Sequence, residues 1–146
     1  MACLYRSYWH PNEQVNPHWL RLEEFISQVI RCRTGRDGRV EVLNPNGGPS
    51  FFRSEAQMFW IACNAPVLFL DDVGIKPASD TGREIAHKLF SQRDKTQPSF
   101  ISSNLSPEEL CECYDSRIVS RICTGKVIHL HGADRRLEQT EFAELF

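Results

Sequence analysis

Val67-Leu68-Phe69-Leu70-Asp71-Asp72-Val73-Gly74 is the stretch from which the rest of the chain is read. Four apolar residues in unbroken succession mark a strand buried on both faces, as in a parallel sheet. The two aspartates that follow fall at the carboxyl end of that strand, where open α/β sheets gather their ligands. An isolated Asp-Asp pair before a glycine is ordinarily a turn or a helix cap. Behind four buried residues, a ligand-facing role gains weight.

The segments on either side alternate between helix and strand. Upstream, Ser54 caps a helix whose apolar side is Met58, Phe59, Ile61 and Ala62, and Asn64 and Pro66 stop it. Before that, glycines and prolines between Thr34 and Ser50 surround a short strand at Val40, Val42 and Leu43, a loop or hairpin excursion. From Trp19 to Cys32, Leu22, Phe25, Ile26, Val29 and Ile30 recur at helical spacing and predict an amphipathic helix ending before Gly35. Residues 1–18 mix Trp9, His10, Pro11 and Pro17 without a period and read as an irregular lead-in. Downstream, a helix is expected over Ser79 to Gln92 and a strand over Pro98 to Ser103, followed by a capped helix start at Ser106-Pro107-Glu108-Glu109. A helix from Tyr114 to Ile122, a last strand from Lys126 to Leu130 and a helix from Leu137 to Phe146 complete the α/β pattern.

The 146 residues set one domain as the expectation, and a formal charge of -2 supplies no overall basic field for nucleic acid. Any nucleic-acid contact must be local; Lys76, Arg83, Lys88, Arg93 and Lys95 are basic enough to touch a nucleic-acid backbone but read first as the solvated face of the helix after Gly74. No apolar run approaches the ~20 residues needed to span a bilayer, and the start lacks a secretion-signal layout, so the chain reads as cytoplasmic. The six cysteines lack zinc-finger spacing; Cys111 and Cys113, one residue apart on a helix, point to different faces and read as reduced thiols.

Two strand ends carry polar clusters, Asp71-Asp72 and Ser102-Ser103-Asn104. A phosphoryl-transfer site needs a carboxylate for hydrated magnesium, a group that orients water, and donors that respond to the terminal phosphate. Asp71 suits the first role, Asp72 the second and Asn104 the third. Asn104 taken alone is what helix-capping chemistry selects. Arg117 and Arg121 stand four apart on one helix, and Arg135-Arg136 follow the last strand. Arginine stabilises charge on a transferring phosphoryl group, within one chain or from a neighbour. Each arginine alone also reads as a solvated surface residue.

Taken in order, V-L-F-L-D-D-V-G, S-F-I-S-S-N-L-S-P-E-E-L, S-R-I-V-S-R-I and H-G-A-D-R-R resemble the DnaC/IstB family of AAA+ ATPases, the helicase loaders and transposition helpers. The resemblance covers roughly Ser54 to Arg136, and it implies a three-layer α/β/α P-loop NTPase core over residues 19–146. It implies that Asp71 and Asp72 are the Walker B acids that bind magnesium and polarise water, and that Asn104 is the first sensor. Arg121, with Arg117 as the alternative, resembles the arginine finger. Arg136, with Arg135 as the alternative, resembles the second sensor at the nucleotide. ATP and Mg2+ are the implied cofactors. The implied partners are DNA, a replicative helicase or transposase, and further copies of the chain.

One element of that pattern is missing: no Gly-x-x-x-x-Gly-Lys-Ser/Thr loop occurs anywhere in the chain. Its backbone N–H groups and lysine supply most of the hold on the phosphates, so nucleotide affinity is expected to collapse. The sheet is expected to lack the strand that feeds the loop, leaving an exposed edge or forcing its neighbours together. Trp19 to Leu22 reads as the tail of the family's second strand. The chain is accordingly expected to be an amino-terminally incomplete AAA+ ATPase. The alternative is a non-catalytic interaction module that keeps the subunit-contact face. A third reading takes Asp71, Asp72 and His129 or His131 as a metal-hydrolase site.

Overall fold

A computed structural model describes residues 17–43, 49–93 and 97–131. The elements run in the order β1 (His18–Arg21), α1 (Leu22–Thr34), β2 (Arg39–Val42), β3 (Phe51–Ser54), α2 (Glu55–Asn64), β4 (Leu68–Asp71), α3 (Asp80–Arg93), β5 (Ser99–Ile101), α4 (Pro107–Cys113) and α5 (Ser116–Ile122). β1, β4 and β5 form a parallel three-stranded sheet in the order β1-β4-β5, while β2 and β3 make a separate antiparallel hairpin.

β4 is central, as its apolar run requires. It pairs with β1 from His18 opposite Leu68 to Arg21 opposite Asp71, and with β5 from Leu68 opposite Ser99 to Leu70 opposite Ile101. Side chains alternate along a strand. Leu68 and Leu70 join the core cluster with Leu22, Val29, Ile85 and Leu89 from the helices. Phe69 is fully buried, and its ring stacks on Phe100 of β5 at 5.2 Å. A second aromatic pair, Phe25 of α1 edge-on to Phe59 of α2 at 5.2 Å, locks those helices together.

The helix starts follow their caps. Ser54 and Gln57 form a reciprocal capping box at α2, and Ser106 and Glu109 form another at α4, with Pro107 in its first turn. Asp115 caps α5 by accepting from the Ile118 N–H at 2.9 Å. Cys111 is exposed and Cys113 buried on the two sides of α4, and the described cysteines are free thiols.

Four expectations need correction. The helix expected from Trp19 begins at Leu22, because His18–Arg21 is taken up as a strand beside β4, as the resemblance implied. The helix expected from Tyr114 begins at Ser116, since Tyr114 terminates α4 and Asp115 caps the next helix. Lys126 to Leu130 forms no strand: among the described residues it has no ladder partner, and Val127, Ile128 and Leu130 are 49%, 67% and 93% exposed. An apolar run becomes a strand only where an edge is within reach. Arg93, counted on sequence among the solvated basic residues after Gly74, is buried. The lead-in up to Asn16, Arg135, Arg136 and the helix expected over Leu137 to Phe146 lie outside the described residues.

Candidate functional site

The carboxyl ends of β4 and β5 meet through a short hydrogen-bond relay. Ser102 donates its hydroxyl to the Asp71 carboxylate and accepts the backbone N–H of Asp72 at 3.2 Å. The Ser102 carbonyl accepts the Val73 N–H at 3.0 Å. Ser103 donates its hydroxyl to the Val73 carbonyl at 2.6 Å and accepts the Leu105 N–H at 3.0 Å. The two loops that leave the strands are thus tied side by side, and the Ser102 hydroxyl holds the Asp71 carboxylate.

Asp72 follows with φ of +55°, a left-handed conformation that few residues other than glycine adopt. The turn continues into Gly74 at φ +94°, where an added Cβ would stand 2.8 Å from side-chain carbons of both Leu105 and Leu110. A glycine is required there on both counts. The sharp reversal gives Asp72 its direction, and strained backbone of this kind gathers at functional sites. Asp71 and Asp72 are both partly accessible, and Asn104 is exposed in the loop between Ser103 and α4.

The loops are braced from behind. The Ala78 N–H donates to the Cys113 carbonyl at 3.0 Å, and Tyr114 donates its hydroxyl to Glu23 at 3.1 Å. Burial raises the Tyr114 phenol above its ordinary range, with the Glu23 carboxylate adding to the shift, so the hydroxyl stays protonated as a donor.

The sequence-derived site residues are brought together in part. Asp71 and Asp72 meet Ser102 at adjacent strand ends, and Ser103 and Asn104 follow in the loop that leaves β5. Arg121 lies elsewhere, in the wall of a cleft of about 260 Å³ beside β5, and Arg117 is exposed on the same helix. His129 and His131 are exposed, with ring centroids 6.5 Å apart. Among the described residues no group of three or more His, Cys, Asp or Glu side chains converges, so the metal-hydrolase reading finds no ligand set there. The donor set at β4 is carboxylate and hydroxyl oxygen, which suits a hard cation that keeps most of its ligands as water and phosphate. Ser102 is the residue that sequence reasoning undervalued. Its signal was a hydroxyl at the end of the strand next to an acid-ended one.

A larger hollow of about 560 Å³ lies between β3 and α2, lined by Phe51, Phe52, Arg53, Trp60 and Ile61. No acid lines it. It is apart from the strand-end cluster.

No family model matches the chain, and no curated protein matches it. Among solved structures, the crystal structure of the DnaC helicase loader is similar at a TM-score of 0.55 and 16% identity. The alignment covers 77% of this chain and 59% of that one, so the chain spans about three fifths of the loader's length. At that identity the likeness shows the fold alone: this chain has a mixed α/β core with a three-stranded parallel sheet, similar in fold to the DnaC helicase loader.

Proposed function

We propose that the chain supplies the acid and sensor side of a nucleotide-dependent AAA+ machine of the helicase-loader or transposition type. The observation that carries this reading is the junction itself: across the carboxyl ends of adjacent parallel strands, Ser102 holds the Asp71 carboxylate and the Asp72 backbone, and Ser103 holds the Val73 carbonyl. The left-handed Asp72 that aims the second carboxylate supports it.

In this reading Asp71, oriented by the Ser102 hydroxyl, faces the metal of a magnesium nucleotide. Asp72 accepts the proton side of an attacking water, and Asn104 holds that water by its amide. Magnesium, when bound, neutralises charge on the phosphates. Arg121, or Arg117 beside it, serves the nucleotide of a neighbouring copy, and Arg136 or Arg135 reads the nucleotide within the chain. DNA and a replicative helicase or transposase are the partners, in the cytoplasm. With no Gly-x-x-x-x-Gly-Lys-Ser/Thr loop among the 146 residues, these residues do not retain ATP by themselves. The missing loop equally favours the second reading, a non-catalytic module that acts through its contact face.

Titration with fluorescently labelled ATP and magnesium, of the chain alone and mixed with the DnaC helicase loader, tests the proposal. Alone, no saturable binding is expected in the micromolar range. In the mixture, the chain should alter the loader's ATP hydrolysis, and Arg121→Ala should abolish that effect. Micromolar binding by the chain alone, or no effect on the loader at any ratio, would overturn the reading. An effect that survives Arg121→Ala and Arg117→Ala would favour the contact module.

A further inference from the structure

α2 is apolar on two sides. Between Glu55 and Asn64 only Gln57 is polar: Met58, Phe59 and Ala62 are buried in the core, while Ala56, Trp60 and Ile61 border the hollow against β3. A helix that is apolar all round belongs in an interior. Among the described residues the outer side of α2 stays uncovered, with Trp60 67% exposed and Phe52 of the adjoining β3 62% exposed. With Phe51 and Arg53 these two rings line the 560 Å³ hollow. Large aromatic rings gathered around one open hollow mark a contact surface.

The hollow also carries a charge. The Arg53 guanidinium lies 4.5 Å from the centre of the Phe51 ring, and among the described residues no carboxylate pairs with it. The acid two positions on, Glu55, is already taken by Arg33 at 2.9 Å and Lys88 at 3.1 Å. Burial lowers the Arg53 pKa, as expected of a cation that gives up water without gaining a counter-charge. The ligand that matches such a wall is an acidic peptide with bulky apolar side chains, its carboxylate for the arginine and its apolar groups for the rings.

The chain carries a peptide of that chemistry outside the described residues. Residues 137–146, Leu-Glu-Gln-Thr-Glu-Phe-Ala-Glu-Leu-Phe, have three glutamates, no lysine or arginine, and four large apolar side chains. Residues 1–16, with one glutamate and one arginine, lack that charge. We infer that residues 137–146 dock into the hollow between β3 and α2 of their own chain, a glutamate on Arg53 and the apolar side chains on Trp60 and Phe52. Length permits the return. Gly125 borders the cleft beside β5, and Leu137 stands twelve positions beyond it (137 − 125), about 40 Å of extended chain. The hollow lies toward the other edge of the sheet, where the Arg53 charge acts on His18 of β1. Three strands are about 10 Å across and a helix about 10 Å thick, well within that reach. Lys126 to His131, exposed and without a ladder position among the described residues, has the character of a connecting stretch. Such a tether holds its cargo at about millimolar effective concentration, which favours the chain's own segment over a second copy. The inference is independent of the nucleotide reading, since the hollow shares no residue with the strand-end junction. A seated segment shuts the hollow to any other acidic peptide.

The test follows the Trp60 indole N–H signal in the full isotopically labelled chain by nuclear magnetic resonance. Phe142→Ser together with Phe146→Ser should move that signal while the amide signals of β4 and β5 stay in place, which shows the fold intact. The synthetic peptide Leu-Glu-Gln-Thr-Glu-Phe-Ala-Glu-Leu-Phe, added to the double variant, should return the signal saturably to its parent position. A peptide with glutamine at all three glutamates should bind at least about threefold more weakly. Adding Arg53→Gln to the double variant should weaken the acidic peptide by the same factor and leave the glutamine peptide unchanged. A Trp60 signal indifferent to the double variant, or no saturable response to the acidic peptide, overturns the inference. Equal binding of the two peptides overturns it as well, leaving a groove that reads no charge. A parent signal that shifts on dilution gives the hollow to a second copy. A response to a thymidine oligonucleotide with none to the peptide gives it to single-stranded nucleic acid. Either result overturns docking of the chain's own segment.

Discussion

Replacing Arg93 with methionine should destabilise the fold by about 3 kcal/mol, although no part of the candidate site is touched. Arg93 is 4% exposed. Its Nη1 donates to the carbonyls of Ala62, Cys63 and Ala65 at 2.9, 3.1 and 2.8 Å. Nη2 donates to the Pro98 carbonyl at 2.8 Å and Nε to the Ser99 hydroxyl at 2.8 Å. One guanidinium therefore closes the carboxyl end of α2 and anchors the entry to β5. Methionine keeps the length of the stem and removes every donor. The acceptors on Ala62 and Ala65 sit in buried bonds, and each buried acceptor left without a donor costs about 1–3 kcal/mol, about 2–6 for the two. Burial opposes the charged form of Arg93 and lowers its pKa, so removing the guanidinium returns part of that cost. The net of about 3 kcal/mol should shift the urea midpoint by about 1–3 M at unchanged slope, followed by far-UV circular dichroism. Arg93→Lys should lose nearly as much, because an ammonium cannot reproduce the planar fork. A methionine variant whose midpoint equals that of the parent would refute the reasoning. It would mean that the five bonds only break even with desolvation.

Two further outcomes follow from the same physics. Gly74→Ala should cost about 2–5 kcal/mol in the same urea assay, from about 1–2 for the left-handed backbone and about 1–3 for crowding Leu105 and Leu110; a loss under about 1 kcal/mol would show that the turn relaxes freely. His18 has its pKa lowered from 6.5 to about 4, first by burial and then by the charges of Arg53 and Arg93. Between those values the unfolded chain binds a proton that the folded chain does not, so stability is complete above pH 6.5 and falls as pH drops toward 4. From pH 7 to 4 the parent should lose up to about 3 kcal/mol more than His18→Gln, measured by urea unfolding at each pH, and parallel curves would remove His18 as the cause.

The parts of the fold legible in the sequence were those that local chemistry decides. Ser54 and Ser106 carry their caps within three residues, and the Val67 to Leu70 run could be buried on both faces only as a central strand. Periodicity alone hid β1, because Trp19 and Leu20 fit the helical period of the residues after them; the resemblance pointed to a strand there, and their pairing with Phe69 and Leu70 makes it one. β3 was hidden for a similar reason, since Phe51 and Phe52 become a strand by facing Val42 and Glu41 across the hairpin. The strand misread at Lys126 to Leu130 marks the opposite limit: an apolar run carries strand propensity, but among the described residues no strand pairs with it. At the site, the two acids stood out through their position after β4, whereas Ser102 needed the register of β5 to show its contact with Asp71.

The β4–β5 junction also bears on the order in which the molecule assembles. The contact between Asp71 and Ser102 closes a loop of 31 residues, and the β1–β4 register joins His18 to Leu68 across 50 positions (68 − 18). The β2–β3 hairpin and the capped helices need only short loops, and structure of that kind forms before long-range pairing. Partly folded chains therefore acquire helices and hairpin while the acids of β4 are still apart from the hydroxyls of β5. The relay through Ser102 comes into being only with the completed sheet, so its chemistry is a property of the finished molecule and of no intermediate on the way to it.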